Sequence, residues 1–249
     1  MSTDAGSTAT EPTTPDPAPT GSVARKNARL ERLVQLQPWL GVLPLSLYAC
    51  FHAWETSAAP SGRDAFVHRI FGSGSMVSLI GETLVVMIPL TLHGAIGLYI
   101  AARDRNGDGV YESRGLLRTQ RLTGVIAFCF LVFHLAHTWF LKLGGSPVRE
   151  LYDTLMDDLG RPLYVVIYAI GISSLCFHLG QGLPAFARRI KLVRSQGADK
   201  VIRVTAGVLA LVLWIAWTNT LGYFARGSGL FWGSTESTES IERNTGSPQ

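Results

Sequence analysis

Residues 162–187 read PLYVVIYAIGISSLCFHLGQGLPAFA, 26 residues without a single Asp, Glu, Lys or Arg. A helix rises about 1.5 Å per residue, and crossing a hydrocarbon core of about 30 Å takes about 20 apolar residues. The stretch can therefore span a bilayer, and it carries an imidazole, His178, at membrane depth. Four more runs have the same character: residues 37–56, 77–102, 122–141 and 201–225. Inside all five, the only Asp, Glu, Lys or Arg residues are Glu55, Glu82 and Arg203. This predicts an all-α integral membrane bundle of five transmembrane helices.

Composition agrees with that fold. Of 249 residues, 47% are hydrophobic and 16% charged, against about 25% charged in an ordinary soluble domain. A soluble enzyme, a nucleic-acid module and a disulfide scaffold are excluded. Cys50, Cys129 and Cys176 all lie in apolar runs with no Cys-x-x-Cys pair, so neither a zinc knuckle nor a covalent c-type haem is available. The boundaries expected are a disordered tail with a basic flank over 1–32, a membrane domain over 33–225 and a polar tail over 226–249. Residues 1–22 have no basic region followed by an apolar one, so they are not a secretory signal.

Loop charge sets the expected orientation. Arg25, Lys26, Arg29 and Arg32 precede the first run. Arg103, Arg105, Arg114, Arg118 and Arg121 flank the second connection. Arg188, Arg189, Lys191, Arg194, Lys200 and Arg203 flank the fourth. The opposite side carries seven basic residues against these fifteen. The positive-inside rule puts the N-terminus in the cytoplasm and the C-terminus outside.

Of six histidines, His68 falls in the first outer loop. The other five, His52, His93, His134, His137 and His178, occupy four apolar runs. Ionisable groups at such depth point to function. Following the chain back and forth, His52 and His134 fall in the outer half, and His93 and His178 in the inner half. Two facing histidines suit the axial positions of a b-type haem iron, a six-coordinate arrangement that passes electrons. The sequence therefore predicts two b haems, with His134 preferred over His137, which lies one turn nearer the surface. Gly97 and Gly182 follow His93 and His178 by four residues, and Gly171 precedes His178 by seven. These small residues share the ligand faces and let a flat macrocycle approach. Two readings compete with this one: a dihaem cytochrome b of another respiratory oxidoreductase, and a haem-free proton-coupled transporter.

From about Leu33 to Phe224 the chain resembles the five-helix, dihaem cytochrome b subunits of succinate:quinone oxidoreductases, the succinate dehydrogenases and fumarate reductases. Gly41-Val-Leu-Pro44 precedes His52 by eight residues, and Glu82 comes eleven before His93. Gln120-Arg-Leu-Thr-Gly124 precedes His134 by fourteen, and Phe177-His-Leu-Gly-Gln-Gly-Leu183 surrounds the fourth histidine. The histidine spacings are 41, 41 and 44. The resemblance implies the same pairing, His52 with His134 and His93 with His178. It also implies a bacterial cytoplasmic-membrane complex with a flavoprotein and an iron–sulfur subunit, and a quinone, menaquinone, as electron partner. The chain has no flavin-binding or cysteine-rich cluster segment, so succinate oxidation falls to those partners. Some fumarate reductases of the family carry a glutamate two residues before the fourth histidine; here that position is Cys176, so a proton route of that kind lacks its carboxylate. Glu82, at the outer end of its run, is the expected proton-transfer group for quinone. Arg121 and Arg189, at the inner surface, are the expected partners of haem propionates.

Overall fold

The computed structural model describes residues 21–71, 80–81, 83–104, 110–143 and 148–232; of residues 21–27, 71, 139–143 and 148–149 only the backbone is described. Glu82 lies outside the described residues. Among the described residues the α-helices with defined bounds are, in chain order, α1 Gly21–Thr56, α2 Arg63–Phe71, α3 Ile88–Arg103, α4 Arg114–Leu143, α5 Val148–Leu159, α6 Pro162–Arg189 and α7 Gln196–Arg226. Among the described residues there is no strand, and five helices, α1, α3, α4, α6 and α7, are long and apolar enough to cross a membrane. The expected fold class is borne out.

The helices outrun the apolar segments that announced them. Helix α1 begins at Gly21, within the 1–32 stretch expected as disordered tail and basic flank, and α4 takes Arg114, Arg118 and Arg121 into its first turns. An apolar run marks only the hydrocarbon slab, whereas backbone hydrogen bonding continues through the headgroup region. Helices α2 and α5 lie in what the sequence presents as connections. The pattern for α5 is legible in retrospect: Val148, Leu151, Tyr152, Leu155, Met156 and Leu159 recur at helical spacing.

The bundle is apolar outside. Leu36, Trp39, Leu43, Leu47, Phe51 and Trp54 are exposed along one stripe of α1, and Val201, Val204, Val208 and Leu211 along one of α7. Steps of three and four residues keep each stripe on one face, as a lipid-facing helix requires. Helix α6 packs along both α4 and α7, and α1 packs on α3. A buried cluster of Phe66, Tyr152, Leu155, Trp217, Leu221 and Phe224 joins α2, α5 and α7 at one end.

Prolines shape two of the spans. Pro38 has no N–H for the carbonyl of Val34, and Arg189 Nη1 from α6 donates to that carbonyl instead. Before α3 the chain makes one π turn over Thr83–Met87. Pro89 then sits at the start of α3, where its missing N–H is tolerated.

Two histidine pairs in the bundle

The structure brings the histidines together as two pairs. His52 of α1 faces His134 of α4, with ring centroids 6.0 Å apart, and His93 of α3 faces His178 of α6 at 6.2 Å. Each pair lines its own cavity. The one lined by His93 and His178, named inner after the expected orientation, is about 220 Å³ and is also bordered by Gln37, Gly41, Gln120, Gly124, Arg121 and Arg189. The outer one, about 250 Å³, is bordered by Glu55, Tyr168, Trp217 and Thr220.

The inner histidines are held by backbone. His93 Nδ1 donates to the carbonyl of Gln37 at 2.8 Å, and His178 Nδ1 to that of Gln120 at 3.1 Å. A helix carbonyl is normally screened by the side chain one turn on. Here those positions are Gly41 and Gly124, and a Cβ at either would overlap the imidazole. The motif Gln-x3-Gly thus appears twice, in α1 and α4, as the docking place for a histidine on α3 or α6. Sequence reading quoted Gln120 and Gly124 but missed Gln37 and the repeat; the signal was the shared spacing itself.

Gly97 and Gly182 line the inner cavity as well, and a Cβ added at either would come within 3.4 Å of the side-chain amide of Gln37 or Gln120. At Gly171 a Cβ would run into the Phe130 ring of α4, so this glycine permits close helix packing, a role compatible with the small-residue reading.

The outer histidines are held by side chains. His52 Nδ1 lies 3.4 Å from Glu55 Oε2, and His134 Nδ1 lies 3.2 Å from the Tyr168 hydroxyl. Each outer ring also stacks on an aromatic four residues earlier, Tyr48 or Phe130. Glu55 is 7% exposed. Sequence reading registered Glu55 only as a charge, although its place three residues after His52 on one helix was a local signal, and passed over Tyr168, which is not recognisable as a partner before α6 is placed beside α4. His137 is engaged at both nitrogens, by Tyr168 Oη at 3.1 Å and Asp158 Oδ2 at 2.7 Å. His68 is exposed on α2.

Arg121 and Arg189 both border the inner cavity, as their expected role requires. Arg121 pairs with Asp104 at 3.0 Å. Other inner arginines are tied to acids. Arg188 reaches Asp199 at 2.7 Å and Glu112 at 2.9 Å, and Arg203 reaches both of the same acids. This network fastens residues 110–112 to α6 and α7.

The pairs fit an iron between them. Two metal–imidazole bonds of about 2 Å each, with the ring radii added, put the centroids about 6 Å apart. Ligating histidines usually donate their other ring N–H to a carbonyl or carboxylate, and all four Nδ1 atoms have oxygen partners here. One adjustment is needed: the Gln37 amide stands 3.0 Å from His93 Nε2 and must turn aside for that nitrogen to bind a metal.

The chain is 29% identical over 156 residues to the succinate dehydrogenase cytochrome b558 subunit of Bacillus subtilis (strain 168), an alignment covering 61% of this chain and 76% of that protein. The family resemblance read from the histidine blocks is borne out by this similarity. No family model and no solved structure matches the chain.

Proposed function

We propose that this chain, similar to a succinate dehydrogenase cytochrome b subunit, anchors a succinate dehydrogenase or fumarate reductase in a bacterial cytoplasmic membrane and carries electrons between its iron–sulfur subunit and membrane quinone. The observation that carries the reading is the pair of facing imidazole pairs, each across its own cavity. In this reading His93 and His178 hold the inner of two b haems, and His52 and His134 the outer. A bis-imidazole haem supplies one-electron transfer with no open coordination position for oxygen.

The chain's own residues do the positioning. Gly41 and Gly124 open backbone carbonyls to the inner imidazoles through Nδ1, so that Nε2 is the nitrogen left for the iron, at His93 once the Gln37 amide turns aside. Glu55 and Tyr168 do the same for the outer ones. Arg121 and Arg189 offer cationic donors at the inner rim, where propionates would lie. The lipid-facing stripes of α1 and α7 exclude water from the bundle. Glu82 is assigned the proton transfer that accompanies quinone reduction at the outer end. The basic residues of the N-terminal flank and the second and fourth connections favour an N-terminus in the cytoplasm, where the flavoprotein and iron–sulfur subunits would dock, and an external C-terminus.

A reduced-minus-oxidised absorption spectrum of the purified complex, with iron and haem quantified per chain, tests this. Two low-spin, six-coordinate b haems are expected. A stoichiometry of one, or a high-spin spectrum in the intact complex, refutes the dihaem assignment; absence of haem favours a transporter.

A further inference from the structure

His137 and Asp158 have no part in the site as described so far, yet they connect to it. Asp158 Oδ2 lies 2.7 Å from His137 Nε2; His137 Nδ1 lies 3.1 Å from Tyr168 Oη; and Tyr168 Oη lies 3.2 Å from His134 Nδ1. The Tyr168 ring is held edge-on against Phe130, Phe133 and His134. Its hydroxyl thus sits between two imidazoles on one helix, three residues apart. On the far side Asp158 ends α5, with Arg161 Nη1 3.7 Å from its other oxygen.

With both imidazoles neutral, the proton positions follow from the carboxylate inward. An ionised Asp158 only accepts, so His137 Nε2 carries a hydrogen. His137 Nδ1 is then bare and accepts from the Tyr168 hydroxyl. The Tyr168 oxygen, having donated its proton, accepts from His134 Nδ1–H. The last nitrogen, His134 Nε2, is left with its lone pair toward the outer cavity. We infer that Tyr168, His137 and Asp158 form a positioning relay that selects the Nε2-ligating tautomer of His134 and strengthens it as an electron donor to iron. The inference rests on the haem reading above. The inner ligands have no such relay, since backbone carbonyls serve them directly.

Each donor in the chain polarises the next, and an acceptor on the distal N–H raises the basicity of a ligating imidazole. A stronger donor favours the oxidised iron, so breaking the relay raises the potential of the outer haem and loosens it. Removing such a supporting partner typically weakens a metal site about 10- to 100-fold.

The test is an optical redox titration of the intact complex, with the outer component identified by its loss in His52→Ala. Tyr168→Phe keeps the ring and removes the hydroxyl. It is expected to raise the outer potential, leave the inner one unchanged and speed loss of the outer haem to a scavenger. Asp158→Asn, at a residue that does not line the cavity, is expected to raise the same potential by less. If Tyr168→Phe loses the outer haem altogether, a raised potential in Asp158→Asn upholds the relay, and an unchanged one overturns it. Wild-type outer potentials in both variants overturn it too. A wild-type complex with no haem at that end refutes the haem reading itself.

Discussion

Replacing Gly124 by alanine sets a methyl group where the His178 ring lies. The new Cβ would stand 2.7 Å from Cε1 and 3.0 Å from Nδ1 of that ring. Carbon atoms rest about 3.5–4.0 Å apart, so the imidazole has to withdraw by about 1 Å. Its Nδ1 is already 3.1 Å from the Gln120 carbonyl, so the retreat carries it to about 4 Å, past hydrogen-bonding range. That bond contributes about 0.5–1.5 kcal/mol, and forcing the methyl into a packed site costs about 1–3 kcal/mol more. Alanine returns about 1 kcal/mol of helix propensity. The balance is about 2 kcal/mol against the inner site, or about 30-fold in haem affinity. The assay is transfer of haem from the purified complex to a scavenging apoprotein, followed by the reduced spectrum of what remains. The inner haem should leave faster and the outer one at its wild-type rate. Gly115→Ala on the same helix is the control, because its Cβ meets nothing closer than 3.6 Å. If Gly124→Ala retains inner haem as the wild type does, exposure of the Gln120 carbonyl is not what seats His178.

Replacing His93 or His178 with alanine should remove the inner haem, and replacing His52 or His134 the outer; His137→Ala should keep both, as counted by haem extraction. Loss of a haem in His137→Ala but not in His134→Ala would reverse the ligand assignment. Glu82→Gln should lower quinone-linked turnover with both haems retained, while succinate oxidation with an artificial acceptor at the soluble subunits survives; unchanged quinone turnover and pH dependence would make Glu82 structural. Asn219, fully buried, accepts from the backbone N–H of Phe231 at 2.7 Å and of Trp232 at 3.2 Å and donates to the Trp232 carbonyl. Asn219→Ala should therefore release residues 227–232 at a cost of about 1–3 kcal/mol, visible as faster proteolysis there; an unaltered cleavage pattern would show that other contacts hold the segment.

The two histidine pairs solve one problem in two ways. Where a glycine lies one turn beyond a carbonyl, a neighbouring imidazole can donate to the helix backbone, as Gln37 and Gln120 allow. The outer histidines instead rely on Glu55, Tyr168 and, behind it, His137 and Asp158. Backbone acceptors are neutral and fixed in place, whereas the outer acceptors include carboxylates. The second-sphere surroundings that tune a metal centre therefore differ between the two ends of one bundle.

Five long apolar helices and the sorting of four histidines into two pairs were legible from residue order alone. Both depend on one-dimensional quantities, the length of an uncharged run and the rise per residue along a helix. Apart from Glu55, three residues after His52, the partners of the histidines were not. Gln37 and His93 are 56 residues apart, as Tyr168 and His134 are 34 apart. Such contacts depend on the rotation of each helix about its axis, which a lipid-facing stripe specifies only broadly. Gly41 and Gly124 show the division well. Sequence presents them only within blocks that precede His52 and His134, and only the placement of α3 beside α1 and α6 beside α4 turns each into an opening onto a carbonyl for His93 or His178. Asp158 is the extreme case. It belongs to a helix that lies in a connection, and only the docking of α5 against the bundle brings its carboxylate to His137.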